Sequence, residues 1–246
     1  MANLFRNSVR YYLENISSVL GFALLLIFVI FFLNFSGVFV SSGSVFFDYS
    51  AIEDIGPDFL LFLAGLLVFL FFYSMFVILM VFSVRNYLSQ VKLHYYLADK
   101  IRKFALKYFV FLVAMTVLSF LVSYFFSFIV FSKILGFVAL AILFSLFLFL
   151  PQSIVIDEES LYSSIQNNIE FSMKNLQTVA LVFVAGLLLF YAVVLLEFAL
   201  NSFFIPGEFL SLLLTVLFIV PFIEAVKTAY YMQKFGLVKR TSLAFS

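Results

Sequence analysis

Residues 59–84 read FLLFLAGLLVFLFFYSMFVILMVFSV, an uncharged run that ends at Arg85. At 1.5 Å per residue a helix of this length crosses the ~30 Å hydrocarbon core of a bilayer. The rest of the sequence agrees with that reading. Of its 246 residues 65% are hydrophobic and 11% charged, against about 25% charged in soluble domains, and the mean hydropathy is +1.21. Similar runs recur from residue 17 to residue 230 with no extended hydrophilic segment between them. The sequence therefore predicts an all-α fold: one polytopic membrane domain, residues 1–246, of six transmembrane helices near 17–40, 59–84, 106–130, 134–151, 178–200 and 208–230. The tightest joint is Phe131-Ser132-Lys133-Ile134. A lysine there interrupts an apolar stretch too long for one span, which predicts a turn. The first run is too long for a cleavable leader and lacks a small-residue cleavage site, so it is expected to remain as a span.

Orientation follows from the basic residues. Arg6 and Arg10, the connector from Arg85 to Lys107, Lys174, and the closing Lys227, Lys234, Lys239 and Arg240 all fall on one side of the six-span plan. Only Lys133 falls on the other. The expected location is the cell membrane, multi-pass, with both termini cytoplasmic. Tyr11, Tyr12, Tyr87, Tyr95, Tyr96, Tyr108, Tyr162, Tyr230 and Tyr231 gather at the same boundary, where an amphipathic ring is most stable.

Each odd-numbered span is preceded by an amphipathic stretch, near 3–16, 88–104 and 158–176. In the third, Leu161, Ile165, Ile169 and Ser172 oppose Gln166, Asn167, Glu170 and Lys174. Such helices lie along the headgroup boundary or across the ends of neighbouring spans. The order of interfacial helix, span, outer turn and span then repeats three times, giving three hairpins. Pro151 and Pro221 are expected to kink or end their helices at the inner face. Asp157, followed by Glu158 and Glu159, is expected to cap the third amphipathic helix.

Two passages carry a resemblance: Pro151-Gln152-Ser153-Ile154-Val155-Ile156-Asp157-Glu158 leading into Ile165 to Lys174 and a span, and Pro221-Phe222-Ile223-Glu224-Ala225-Val226-Lys227-Thr228-Ala229-Tyr230-Tyr231. The chain resembles a group of mostly uncharacterised prokaryotic six-span proteins, similar to the membrane domain attached to glycerophosphoryl diester phosphodiesterases. The last 100 residues carry the resemblance best. It implies a hairpin-based bundle with a role in the membrane. It implies no catalytic residues, because the phosphodiesterase chemistry of those relatives resides in a separate soluble domain without a counterpart here.

Ionisable groups within spans are functional candidates by default, because hydrocarbon disfavours them by several kcal/mol. Glu197 stands about one turn from the outer end of the fifth span, so snorkelling or a local hydrogen bond competes with a transport or ligand role. Glu224 stands three residues before Lys227, the spacing of a pair on a helix surface, with a proton-coupled role as the alternative. Ser119, Ser123 and Ser127 share one face of the third span, suited to close helix packing or to a polar conduit. The acidic external loop with Asp48, Glu53, Asp54 and Asp58 matches no calcium-loop spacing, and His94 has no visible catalytic or metal partner. The sequence has no cysteine, and no phosphate-binding glycine loop or serine elbow occurs. No cofactor and no metal are expected. The expected function is non-enzymatic: a scaffold or lipid-interacting membrane protein, with membrane lipids and a cytoplasmic or membrane protein as partners and no nucleic acid. The alternative is a transporter or permease component working with a partner. Broken spans with buried polar groups would favour transport.

Overall fold

The computed structural model describes residues 57–89, 97–127, 132–203 and 207–238, two strands at 38–41 and 44–47, and helical positions at 20, 23, 24, 26, 27 and 30. The expected interfacial helix at 3–16, most of the expected first span, His94, and Asp48, Glu53 and Asp54 lie outside the described residues. Among the described residues five segments are long and apolar enough to cross a membrane: Phe59–Ser89, Asp99–Phe126, Ile134–Ile156, Leu176–Ser202 and Gly207–Lys234.

Strands β1 (Val38–Ser41) and β2 (Ser44–Phe47) form an antiparallel hairpin, with Val38 opposite Phe47 and Ser41 opposite Ser44. This is the one departure from helix among the described elements. It falls where the sequence predicts the end of the first span and the external loop. Alternating Val and Phe between serines suits a strand better than a helix end.

Helix α1 (Pro57–Ser89) is the centre of the bundle. Its Phe76, Val77, Ile78 and Val81 are buried with Ala23, Leu26, Ile27 and Ile30 of the first helical stretch, with Phe104, Tyr108 and Phe111, and with Leu212 and Val216 near the end of the chain. Helix α2 (Leu97–Ser127) runs unbroken from its amphipathic start into the apolar span. The separate interfacial helix expected at 88–104 is thus corrected: α1 reaches Ser89, and 97–104 is the first two turns of α2. No glycine or proline interrupts 97–127, so the backbone has no reason to break where polarity changes.

Helix α3 (Ser132–Leu146) follows the expected joint and returns beside α2. A Cβ on Gly136 would sit 3.3 Å from Phe126 Cβ, so glycine permits the close approach. The third of the five apolar segments is interrupted. After α3, residues 147–149 form a turn, and α4 (Leu150–Ile156) resumes with Pro151 in its first turn, where its missing N–H and fixed φ are tolerated. Helix α5 (Leu161–Lys174) is capped by Ser160, whose Oγ accepts from the Ser163 N–H at 3.2 Å. Asp157, expected as that cap, stands instead at the C-terminal end of α4. Glu158 has φ 57°, and this left-handed residue turns the chain between the helices.

Helix α6 (Leu176–Ser202) leaves large apolar side chains on the outside, including Leu188, Leu195 and Phe198, as a lipid-facing surface does. The last segment comprises α7 (Gly207–Leu214), a π-helical turn at Thr215–Ile219, and α8 (Val220–Lys234). Pro221 was expected to kink or end this helix at the inner face. Helix continues for more than three turns beyond it, and the wide π turn immediately before the ring relieves the clash that proline makes with the preceding turn.

Candidate functional site

The interruption at 147–149 leaves backbone carbonyls that a continuous helix would satisfy, and within hydrocarbon such groups must find protein partners. Side chains from two other elements supply them. The Leu146 carbonyl accepts from Asn168 Nδ2 at 2.8 Å and Ser172 Oγ at 3.0 Å, both on α5, and the Leu148 carbonyl accepts from Lys227 Nζ at 3.0 Å, on α8. Lys227 is only 4% exposed, and Glu224 Oε1, 2.6 Å away, balances its charge. The other oxygen of Glu224 accepts from Gln152 Nε2 at 2.8 Å. Thr228 Oγ1 donates to the Glu224 carbonyl at 2.7 Å and lies 3.3 Å from Gln152 Nε2. Glu224 and Lys227 therefore pair as their spacing suggests, but inside the protein rather than on a helix surface. Gln152 and Thr228 are fully buried beside them.

This polar knot explains the real faces of α5. Ser164, Asn168, Phe171 and Ser172 are buried, whereas Ile169, assigned to the inward stripe from sequence, is exposed. Tyr162, Ile169 and Met173 form an outward apolar line. The inward face is small and polar because it meets free carbonyls as well as side chains. Ser164, Asn168 and Ser172 at i, i+4 and i+8 were the available sequence signal, overshadowed by the stronger isoleucine period.

A second set of contacts ties the same end together, here called the basic end. Arg85, in the last turns of α1, reaches Glu158 at 2.7 Å and donates to the Val155 carbonyl at 2.5 Å. Lys100 pairs with Glu158 at 2.8 Å, and Lys107 donates to the Glu159 carbonyl. Part of the basic connector thus grips the acidic link between α4 and α5. Burial pulls the Glu158 carboxyl upward, but hydrogen bonds from Lys100 and Arg85, with their positive charges, outweigh it and hold it below its ordinary 4.5. A depressed carboxyl contributes stability that is complete above the ordinary value and lost as pH falls through the lowered one. Thermal denaturation in detergent from pH 7 to pH 3 is expected to show a loss of stability below about pH 4.5 that is absent from Glu158→Gln.

Beside this link, between α5 and the end of α8, opens a cleft of about 560 Å³ lined by Asp157, Glu159, Asn167, Lys174, Lys234 and Phe235, among others. Tyr231 donates to Asp157 Oδ2 at 2.9 Å, and Ser153 Oγ lies 2.7 Å from the same oxygen. The rings of Phe171, Tyr231 and Phe235 pack together with centroids 4.6–5.9 Å apart.

The remaining sequence candidates lie apart from the knot. Glu197 is buried at the opposite end of the bundle, where it accepts from Ser41 Oγ at 3.1 Å and Ser211 Oγ at 2.5 Å, pinning the hairpin and α7 to α6. Ser119 donates to the Met115 carbonyl at 2.8 Å, Ser123 is exposed, and Ser127 is the last residue of α2. Among the described residues no cluster of three or more His, Asp or Glu is arranged to hold a metal ion. Gln152 and Asn168 were not singled out from sequence, although both stand in the passages that carry the resemblance.

Comparison with models of protein families, with curated proteins and with solved structures gives no match to this chain.

Proposed function

We propose that this chain is a six-span, non-enzymatic membrane protein that acts as a lipid-interacting scaffold. Its basic end and both termini lie on the cytoplasmic side of the cell membrane. The span additional to the five long apolar segments is the first, near 17–40, supported by the burial of Ala23, Leu26, Ile27 and Ile30 against α1. The resemblance to the membrane domain attached to glycerophosphoryl diester phosphodiesterases belongs to the same proposal. The observation that carries the reading is the three-sided α5. Its polar side is bonded to the broken span, its charged side carries Glu170 and Lys174, and its outward line of Tyr162, Ile169 and Met173 suits the headgroup boundary.

Arg85, Lys100 and Lys107 are engaged with the α4–α5 link, which leaves the exposed Arg102 and Lys103 to meet anionic headgroups. Each contributes about 1 kcal/mol near an anionic surface. The double variant Arg102→Gln/Lys103→Gln is expected to lower the preference for anionic over zwitterionic lipid, measured by native mass spectrometry of co-purified lipid, by about thirtyfold. An unchanged preference would remove the lipid role from this face.

The second reading, a transporter or permease component, is favoured by the two interrupted spans and by buried oxygens at or beside the interruptions, Gln152 Oε1, Asn168 Oδ1 and Thr215 Oγ1, that have no partner among the described residues. It requires water to reach the knot.

A further inference from the structure

The cleft at the basic end holds charges of both signs that its own residues do not balance. Among the described residues Asp157 accepts only from neutral groups: the hydroxyls of Tyr231 and Ser153 and, at 3.5 Å, the Asn167 amide. The Glu159 carboxylate accepts from the same amide at 3.3 Å. Lys174 is balanced by Glu170. Lys234 is not balanced: its described contact is with the ring of Tyr230, 5.8 Å from Nζ to centroid. Among the described residues, two carboxylates without a cation and one ammonium without an anion thus line a single cleft, with the exposed ring of Phe235 beside them.

We propose that this cleft binds a small zwitterion, with its ammonium at Asp157 and Glu159, its anionic oxygens at Lys234, and its apolar part on Phe235. The volume of about 560 Å³ suits a molecule the size of an amino acid or a phosphorylated amine. The source is a soluble molecule rather than a membrane headgroup. Asn167, Glu170 and Lys174, which line the cleft, stand on a different side of α5 from Tyr162, Ile169 and Met173. The cleft is therefore lined by the charged side of α5 and not by the apolar line that suits lipid.

The test uses the full chain in nanodiscs of phosphatidylglycerol, with phenylalanine, phosphoethanolamine and the N-acetylated form of each as probes, followed by saturation-transfer NMR and calorimetry. Saturable binding of a zwitterion that weakens about tenfold or more on N-acetylation is expected, the loss of one charge-assisted contact. Glu159→Gln should lower affinity for the zwitterion but not for its N-acetylated form, and Lys234→Gln should lower both. Both residues are exposed, so an unchanged melting temperature checks that the variants are folded. The absence of saturable binding by either soluble zwitterion, or binding undiminished in Glu159→Gln and Lys234→Gln, would overturn the proposal. Retention of phosphatidylethanolamine in mixed nanodiscs without binding of free phosphoethanolamine would overturn the assignment to a soluble source.

Discussion

Replacing Lys227 with methionine is expected to destabilise the protein by about 3–5 kcal/mol, the cost of leaving one partner of a buried ion pair without its charge complement. The variant keeps an unbranched chain of similar length but removes three donors. Glu224 Oε1 loses its 2.6 Å partner, and the Leu148 carbonyl loses its 3.0 Å donor at the turn that interrupts the third apolar segment. Water cannot easily replace them, because Glu224, Gln152 and Thr228 are buried on the remaining sides. The measurement is reversible unfolding in mixed micelles, with helicity against denaturing-detergent fraction. Adding Glu224→Gln to Lys227→Met removes the unbalanced carboxylate and keeps a hydrogen-bonding partner for Gln152, so the double variant should be more stable than Lys227→Met alone. A surface pair would behave differently, with a single-variant cost of about 0–1 kcal/mol and no recovery.

Gly207→Val is expected to disrupt the opposite end. A Cβ built on Gly207 would lie 2.6 Å from Asn201 Oδ1 and 2.7 Å from the Glu197 carbonyl oxygen. The asparagine side chain can move, at the expense of its hydrogen bond from the Gly207 N–H at 3.0 Å. The carbonyl belongs to the backbone of α6 and moves only if the two helices separate. Overpacking of this kind costs about 1–3 kcal/mol, and valine adds two further methyl groups to the clash. Separation would also strain the Ser211–Glu197 hydrogen bond, so Gly207→Val and Ser211→Ala should be non-additive. Thermal unfolding of the single and double variants checks both expectations.

Hydropathy alone located most of the helical architecture, because long apolar runs admit little else in a bilayer. Five runs are long enough to span, and their limits differ from the expected ones by a few residues, as at Pro57–Ser89 against 59–84 and Leu176–Ser202 against 178–200. Sequence was least informative where polarity and backbone continuity disagree. The charges at Lys100, Arg102 and Lys103 suggested a separate interfacial helix, yet α2 passes through them unbroken. The β-hairpin was hidden because residues 38–40 continue the apolar run of the first expected span while residues 41–47, with three serines and a glycine, read as loop.

The knot was only half legible. The spacing of Glu224 and Lys227 announced a pair, but their burial depends on α4 and α5 meeting α8, a tertiary event. Sequence marks Pro151 as a helix disturbance, but the partners of Leu146 and Leu148 come from 22 to 79 residues further along the chain, beyond any local pattern. Asp157 shows the same limit. Its position before Glu158 and Glu159 suggested a helix cap, whereas Ser160 takes that role and Asp157 faces Tyr231 across the cleft.

The central claim is that the knot is closed: its polar groups hold a broken span together and do not line a water-filled path. The natural absence of cysteine allows a single-site test. Thr228→Cys, at a fully buried position in the knot, and Lys234→Cys, exposed at the end of the same helix, are each reconstituted in vesicles and exposed on both faces to a membrane-impermeant maleimide. Rapid labelling is expected at 234, and none at 228 until the protein is denatured. Labelling at 228 in the folded protein would contradict it and would establish the water access that transport requires.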